Sequence, residues 1–364
     1  MDTCDVLIVG GGPAGSTCAR ALRRAGLDAL VIDKARFPRD KICAGWITPH
    51  VVDRLELDLN DYRRRHTLQP ITGFRVGIIG RDAVCDVEYD RPVSYAIRRC
   101  EFDAYLLDAA GVPCRTGEAV TTIRRQGDRW IVNGHIETPM LVGAGGHRCP
   151  VAALVSPRED VTAIVAAEEI EIAVPPDAPD GVSGERPELY LAPDLAGYGW
   201  CIRKSEYVNV GFGRVAGHAL PREMRDFVRF LQSKRRIPLS FPERGRAHAY
   251  LLAPCHRQLV ADAVLLVGDS AGLARPPSGE GIGPAVDSAL LAARAIVDAN
   301  DDYRSERLHS YDEEMARRLG AGGGWLEAVG GSRLFTVAVR LLIGRAWFVR
   351  RVVLDRWFLH RAER

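Results

Sequence analysis

The stretch Asp5-Val6-Leu7-Ile8-Val9-Gly10-Gly11-Gly12-Pro13-Ala14-Gly15 decides the fold. A short apolar run that passes straight into glycines is how a buried parallel strand ends in a phosphate turn. In Gly10-x-Gly12-x-x-Gly15 the first glycine permits the tight turn and the second lets the backbone approach a pyrophosphate. The third lets the following helix pack against the strand. Residues Ser16 to Ala25 read as that helix, with its N-terminal amides facing the phosphates. A second strand, Ala29 to Ile32, ends on Asp33, an acid placed to accept hydrogen bonds from a ribose hydroxyl pair, and Lys34 follows. Gly10, Gly12, Pro13, Ala14, Gly15, Asp33 and Lys34 are the cofactor-binding candidates of this segment. The order predicts an α/β domain that binds an adenine dinucleotide with a free 2′-hydroxyl, FAD or NAD.

The choice between them comes from a distant segment. Ala263-Val-Leu-Leu-Val267 reads as a buried strand ending in Gly268-Asp269, followed by the loop Pro276-Pro-Ser-Gly279-Glu-Gly281-Ile282 and a long helix over Gly283 to Ala299. Asp269 can bind ribitol hydroxyls. The amides of Gly279, Gly281 and Ile282, with the helix dipole, can stabilise negative charge at flavin N1 and O2. That arrangement favours FAD.

On these residues the chain resembles the flavoprotein superfamily of para-hydroxybenzoate hydroxylase type, and within it the geranylgeranyl reductase family of FAD-dependent oxidoreductases. The other matching pieces are Phe37-Pro-Arg-Asp-Lys-Ile-Cys43-Ala44-Gly45, Arg98-Arg99-Cys-Glu-Phe-Asp103, Leu141-Val-Gly-Ala-Gly-Gly146 and Gly197-Tyr198-Gly-Trp200-Cys-Ile202. The resemblance implies that Asp33 holds the adenosine ribose, Arg99 lies on the pyrophosphate side, Cys43-Ala44-Gly45 passes the flavin ring and Asp269 holds the ribityl chain. It also implies that the 276–281 loop faces the isoalloxazine. Two departures stand out. Gly145 replaces the family's acid, and Tyr198-x-Trp200-x-Ile202-Arg203 replaces Tyr-x-Trp-x-Phe-Pro.

The expected architecture is α/β. A discontinuous Rossmann-like FAD-binding domain would span residues 1–50, 92–155 and 255–300. A mostly antiparallel β-sheet substrate domain would span 51–91 and 156–254, and C-terminal helices 301–364. Alternating strand-like runs over Thr72–Ile79, Ala83–Tyr89, Ala163–Ile172, Glu188–Leu191, Gly199–Ile202 and Tyr207–Gly213 supply the sheet, and Pro221–Lys234 reads as a surface helix. Gly211-x-Gly213-x-x-x-Gly217 imitates a second nucleotide fingerprint, but its spacing is off by one. The electron donor therefore has no visible motif. An external reductant is expected, with NADPH as the candidate.

The chain has 364 residues and a formal charge of +2, which gives no support to a nucleic-acid partner bound by bulk charge. Nine cysteines with no CxxC pair argue against a disulfide scaffold or a structural metal site. Without a signal-type or membrane-spanning run, a reducing cytoplasm is expected. Residues 331–364 concentrate eight Arg against two acids, interleaved with Trp and Phe. That segment either packs on the body with its arginines snorkelling outward or lies on an anionic membrane surface.

A flavin without a second redox centre does hydride or oxygen chemistry. The first expectation is reduction of a carbon–carbon double bond in a hydrophobic, prenyl-type small molecule, with Cys43, Trp46, Tyr198 and Trp200 as the catalytic or pocket candidates. The alternative is a monooxygenase that hydroxylates or epoxidises a hydrophobic or aromatic substrate. A flavin halogenase would need a lysine amine after the first motif, and no lysine occurs between Ile42 and Arg203.

Overall fold

A computed structural model describes residues 1–155, 164–174, 181–215, 219–253, 257–276, 278–320 and 333–361. The fold is mixed α/β and divides into two compact units. One comprises Met1–Asp40, Cys100–Thr162 and Tyr250–Gly323, and the other Lys41–Arg99, Ala163–Ala249 and Gly324–Arg364.

The first unit is built on a six-stranded sheet whose strands come from all three of its segments. Their order across the sheet is Val260–Ala261, Val264–Leu266, Met140–Gly143, Val6–Val9, Ala29–Asp33 and Cys114–Thr116. All neighbours are parallel except the first pair. Val6–Val9 lies inside this sheet and all four of its residues are buried, which is why the sequence there is continuously apolar rather than alternating. The register Val9 to Ile32 and Gly143 to Val9 brings three strand ends together at the glycine turn. Helices Pro13–Arg24 and Ile282–Ala299 pack on one another, and Ser305–Gly320 joins them. Both helices of the fingerprint segments begin earlier than the sequence predicts, at Pro13 rather than Ser16 and at Ile282 rather than Gly283. Proline at the first helical position has its φ preset for the turn and lacks only an amide that would be unpaired there.

The second unit carries a seven-stranded sheet in the order Arg246–Leu251, Ile164–Ala173, Tyr207–Val215, Gly197–Lys204, Glu188–Leu191, Gly73–Ile78 and Val84–Glu88. Glu188–Leu191 and Gly73–Ile78 are parallel, while the pairs Ile164–Ala173 with Tyr207–Val215, Tyr207–Val215 with Gly197–Lys204, and Gly197–Lys204 with Glu188–Leu191 are antiparallel. One face is covered by the helix Leu220–Ser233, whose buried Leu220, Met224, Phe227, Val228 and Leu231 repeat at helical spacing. Phe227 lies so close to Gly199 that a Cβ there would stand 2.6 Å from its ring. The other face therefore presents the alternate residues of the same strands, among them Trp200 and Asn209. A three-stranded sheet of Trp46–Ile47, Ser94–Ile97 and Leu68–Ile71 belongs to this unit, as do the C-terminal Arg333–Leu342, Ala346–Phe348 and the π-helical Val349–Phe358. Residues 175–180 and Cys255 lie outside the described residues.

Candidate functional site

In the first unit the glycine turn has the shape of a phosphate cradle. Gly10 sits at φ +116°, where a side chain is strained. A Cβ on Gly15 would fall inside the Gly10 carbonyl, 3.0 Å from its carbon. The helix that follows has Pro13 at its first position, Gly12 as N-cap, no side-chain cap and no acid in its first turn. Its positive end is thus left for an anion. Asp33 accepts the Gly11 amide at 2.7 Å through one oxygen and the Ala35 amide at 2.8 Å through the other. A carboxylate has about four lone-pair sites, so ribose hydroxyls can still be accepted. Lys34 is exposed beside it.

The second cofactor segment reaches the same place from the far end of the chain. Gly268 lies between the two helices, where a Cβ would stand 3.0 Å from Ala14 Cβ and 3.3 Å from Ala285 Cβ. The helix Ile282–Ala299 is again uncapped by any side chain, with Gly281 as N-cap and no acid in its first turn. A Cβ on Gly281 would stand 3.2 Å from Asp269 Oδ1, so the carboxylate and the amide-bearing turn adjoin each other. Gly279 lies in the same loop, of which Pro277 is outside the described residues.

Arg39 is a candidate that the motifs do not single out. Its guanidinium is paired with Asp103 at 3.2 Å and would meet a Cβ on Gly12 at 3.3 Å, which puts a cation against the glycine where a pyrophosphate would approach. A signal was available, since Arg39 lies inside the 37–45 motif. Arg99 opens the helix Arg99–Ala110 and is buried.

The second unit brings Trp46, Tyr198 and Trp200 into one aromatic wall, joined by two rings that no motif points to. Trp46 stacks on Phe74 at 5.1 Å between centroids and on Phe358 at 6.1 Å. Phe358 meets Tyr198 edge-on at 5.0 Å, and Tyr198 lies 5.8 Å from Trp200. The Trp46 indole nitrogen is buried with no hydrogen-bond partner among the described residues. Trp200 lies across Gly211 of the neighbouring strand, where a Cβ would come within 2.8 Å of the indole Cη2. Gly211 is thus a mid-strand residue that makes room for a ring, and Gly213 lies in the same strand, so neither belongs to a phosphate loop. Gly217 lies outside the described residues.

Behind this wall sits a polar cluster. Cys43 is partly exposed, and its amide donates to Glu169 Oε2 at 2.6 Å. Ala44 is partly exposed too, and Gly45 turns at φ +64° with its carbonyl accepting the Ile97 amide at 2.7 Å. Lys204 is fully buried and donates to Glu171 Oε2 at 2.7 Å. Arg98 reaches the other Glu171 oxygen at 3.0 Å. Burial pushes the Glu169 carboxyl up to about 7 against the pull of Lys204, whereas the ion pairs hold Glu171 below the usual range despite its own burial. Loss of water, with the nearby Cys43 adding to it, raises the Tyr198 phenol well above its ordinary value, so it keeps its proton. Among the described residues no group of His, Cys, Asp and Glu is placed to hold a metal.

Residues 3–321 match the family described as "FAD binding domain". The chain belongs to that family. The cradle fits the cofactor, because an anion-ready helix end, a ribose acid, a neighbouring arginine and a second uncapped helix beside a carboxylate occupy one region of the first unit. Menaquinone reductase from Mycobacterium tuberculosis is 28% identical over 331 residues, 82% of this chain and 78% of that protein. Chloroplastic geranylgeranyl diphosphate reductase from Oryza sativa is 31% identical over 316 residues, 80% of this chain and 66% of that protein. Among solved structures, a geranylgeranyl bacteriochlorophyll reductase-like protein from Thermoplasma acidophilum superposes with a TM-score of 0.77 at 22% identity, covering 94% of this chain and 91% of that one. The same fold is found in a probable FAD-dependent monooxygenase from Pseudomonas aeruginosa, with TM-score 0.68, 19% identity and coverage of 93% and 99%. The resemblance to the geranylgeranyl reductases read from the motifs is borne out by these relatives, and this member of the FAD binding domain family is an FAD-dependent oxidoreductase.

Proposed function

We propose that this flavoprotein reduces a carbon–carbon double bond in a hydrophobic substrate of prenyl type. The observation that carries the reading is the aromatic cluster of Phe74, Trp46, Phe358, Tyr198 and Trp200, in which the half-buried Trp46 and Tyr198 would meet an alkene chain while the buried Phe74, Trp200 and Phe358 back them. The names of the curated relatives, reductases of a quinone and of a geranylgeranyl chain, point the same way.

Bound in the cradle, reduced FAD supplies a hydride. Gly12, the amides after Pro13, Arg39 and Asp33 hold its adenosine and pyrophosphate. Asp269 would hold the ribityl chain, and the turn Gly279 to Ile282 would offer its amides and helix dipole to the ring. The family resemblance assigns Cys43-Ala44-Gly45 to the lining of the ring. The aromatic wall orients the alkene and excludes water. The proton that completes saturation would come from water or from a group beside the alkene, for which Tyr198 Oη and Cys43 Sγ are the candidates, although burial makes the phenol a weaker acid. The reductant is external, and NADPH is the candidate donor.

The test is flavin reoxidation under anaerobic conditions, screened across prenyl diphosphates, prenyl phospholipids and prenylated quinones. Substrate-dependent reoxidation with a product about two mass units heavier, the hydride plus the proton, supports the reading. Inactivity without oxygen, together with an oxygenated product in air, would replace it with monooxygenation.

A membrane surface is the natural source of such a substrate, and we infer that the C-terminal segment touches one. Val339, Ile343, Phe348, Trp357 and Phe358 are buried, so much of the segment packs on the body. Val337, Leu341 and Trp347 are exposed, with exposed Arg345, Arg350 and Arg351 close by in sequence. Exposed apolar groups beside arginines suit an anionic bilayer. Among the described residues no helix is long and apolar enough to cross one. Co-sedimentation with phosphatidylglycerol vesicles should fall at least fivefold in a Val337→Ser, Leu341→Ser, Trp347→Ser variant, and equal pelleting would end the idea.

A further inference from the structure

The strand Ile164–Ala173 carries acids at 169 and 171, on the face of the second unit where an apolar residue would pack without the penalty of burying charge. A buried carboxylate at 169 and a half-buried one at 171 need an explanation, because ion pairs taken out of water add little to stability. Both have definite partners. Glu169 receives the Cys43 amide and a hydrogen bond from Asn209. Glu171 receives Lys204, Arg98 and, at 3.1 Å, Asn209 Nδ2. Asn209 Oδ1 in turn accepts the Trp200 indole N–H at 2.7 Å. Lys204 lies directly behind the turn, since a Cβ on Gly45 would stand 2.5 Å from its Nζ. One hydrogen-bonded body therefore runs from the Cys43 backbone to the ring of Trp200.

We propose that Glu169 is the positioning residue of the Cys43-Ala44-Gly45 segment: its carboxylate, braced by Lys204 and Asn209, anchors the Cys43 amide and ties the segment to the indole of Trp200. The consequence for chemistry rests on the reading that this segment lines the flavin. The anchoring itself does not.

A carboxylate can accept at both oxygens, whereas an amide turns one of them into a donor. In Glu169→Gln, if the carbonyl keeps the Cys43 amide, the new NH₂ faces the Asn209 donor and that bond is lost; if it turns to Asn209, the Cys43 amide is lost, and in both cases the attraction of Lys204 for the carboxylate goes. The groups around Glu169 that titrate or carry charge are Glu171 on its own strand, Lys204 with Arg98 beyond it, the Cys43 thiol, and the Lys41–His248 pair on the preceding loop and the neighbouring edge strand.

The test compares FAD-loaded parent, Glu169→Gln, Glu169→Asp and Glu168→Gln. Glu168 is the control, because it also holds a backbone amide, Gly245 at 2.8 Å, from the opposite face of the same strand. Hydrogen–deuterium exchange of the peptide 41–46 should quicken at least tenfold in Glu169→Gln, less in Glu169→Asp, and stay at the parent rate in Glu168→Gln. Alkylation of Cys43, read by mass spectrometry, should change in the same order. Turnover should lose kcat at least tenfold in Glu169→Gln, with KM within twofold. Unchanged exchange at 41–46, or equal quickening in Glu168→Gln, overturns the proposal. Faster exchange with an unchanged flavin spectrum and kcat supports the anchoring and removes the flavin-lining role of the segment instead.

Discussion

Alanine at Gly12 and alanine at Gly15 should damage the protein in two different ways. Gly12 has φ −74° and ψ −173°, a backbone that any residue adopts. A Cβ there meets only Arg39 Nη2 at 3.3 Å, the far end of a flexible side chain that can give by a few tenths of an ångström. Exchanging glycine for alanine at an N-cap costs about 0.5–1 kcal/mol, so the FAD-free protein should melt within about 2–3 °C of the parent. The new methyl, however, occupies the approach of the pyrophosphate. Losing one charge-assisted hydrogen bond of about 1.5–3 kcal/mol raises the FAD Kd roughly 10- to 150-fold. At Gly15 the Cβ would lie inside the Gly10 carbonyl and 3.3 Å from Ala144 Cβ, both parts of the scaffold that cannot swing away. Helix and strand must separate there, and overpacking of that kind costs about 1–3 kcal/mol, which lowers the FAD-free melting temperature by roughly 3–10 °C. Differential scanning fluorimetry of FAD-stripped protein and fluorescence titration with FAD measure the two effects. The assignment of the turn to the cofactor fails if Gly12→Ala binds FAD within twofold of the parent, or if it melts as low as Gly15→Ala.

The same geometry makes three further predictions. Trp46→Ala removes the ring between Phe74 and Phe358, which should raise KM for a prenyl substrate at least tenfold and destabilise by about 3–5 kcal/mol, read by turnover and urea unfolding. Gly211→Ala should push the Trp200 indole off its bed and change near-ultraviolet circular dichroism and tryptophan fluorescence, whereas Gly213→Ala, whose Cβ would stand 3.6 Å from that ring, should not. Glu169 is held up at about 7 by burial, so the folded protein binds its proton more tightly than the unfolded chain does. Its contribution is present at acid pH and is lost as pH rises from about 4.5 through about 7, so Glu169→Gln should gain stability relative to the parent over that window. Parallel melting curves for the two proteins from pH 5 to pH 8 would contradict this.

How much of this was legible in the sequence depends on whether a residue's role is local. The glycine turn, Asp33 and the Gly268-Asp269 segment were readable because each motif carries its own strand and helix, and the backbone conformation they need restricts the residue type. Trp46, Tyr198 and Trp200 were readable as candidates, but not as a wall. Phe74 and Phe358 complete it from a strand and a C-terminal helix far apart in the chain, and nothing in a phenylalanine's neighbours says which ring it will meet. Gly211 and Gly213 show the opposite failure. Their spacing imitates a nucleotide turn, but the physical cause of at least Gly211 is an indole lying on the next strand.

Glu169 is the instructive case between these two. The run from 163 to 172 was recognisable as a strand, and Glu168-Glu169-x-Glu171 within it places acids on both faces. A half-buried strand in a sheet covered on one side by the Leu220–Ser233 helix should show polar residues only on the side that helix leaves free, yet Glu168 is buried as well as Glu169. Acids buried on both faces cannot be solvated, so each must hold something: Glu168 the Gly245 amide and Glu169 the Cys43 amide, while the half-buried Glu171 holds the Lys204 and Arg98 cations. The partners were invisible from the strand alone, but the need for partners was not. Lys204, one of four lysines in the chain, is committed to Glu171 with no exposure of its own, and so it is not presented to a substrate. A buried ammonium that braces a carboxylate is a structural choice that arginine, longer and forked, would not fit behind Gly45. The prediction that follows is sharp: Lys204→Arg should disturb exchange at 41–46 as strongly as Glu169→Gln does, although it conserves the charge.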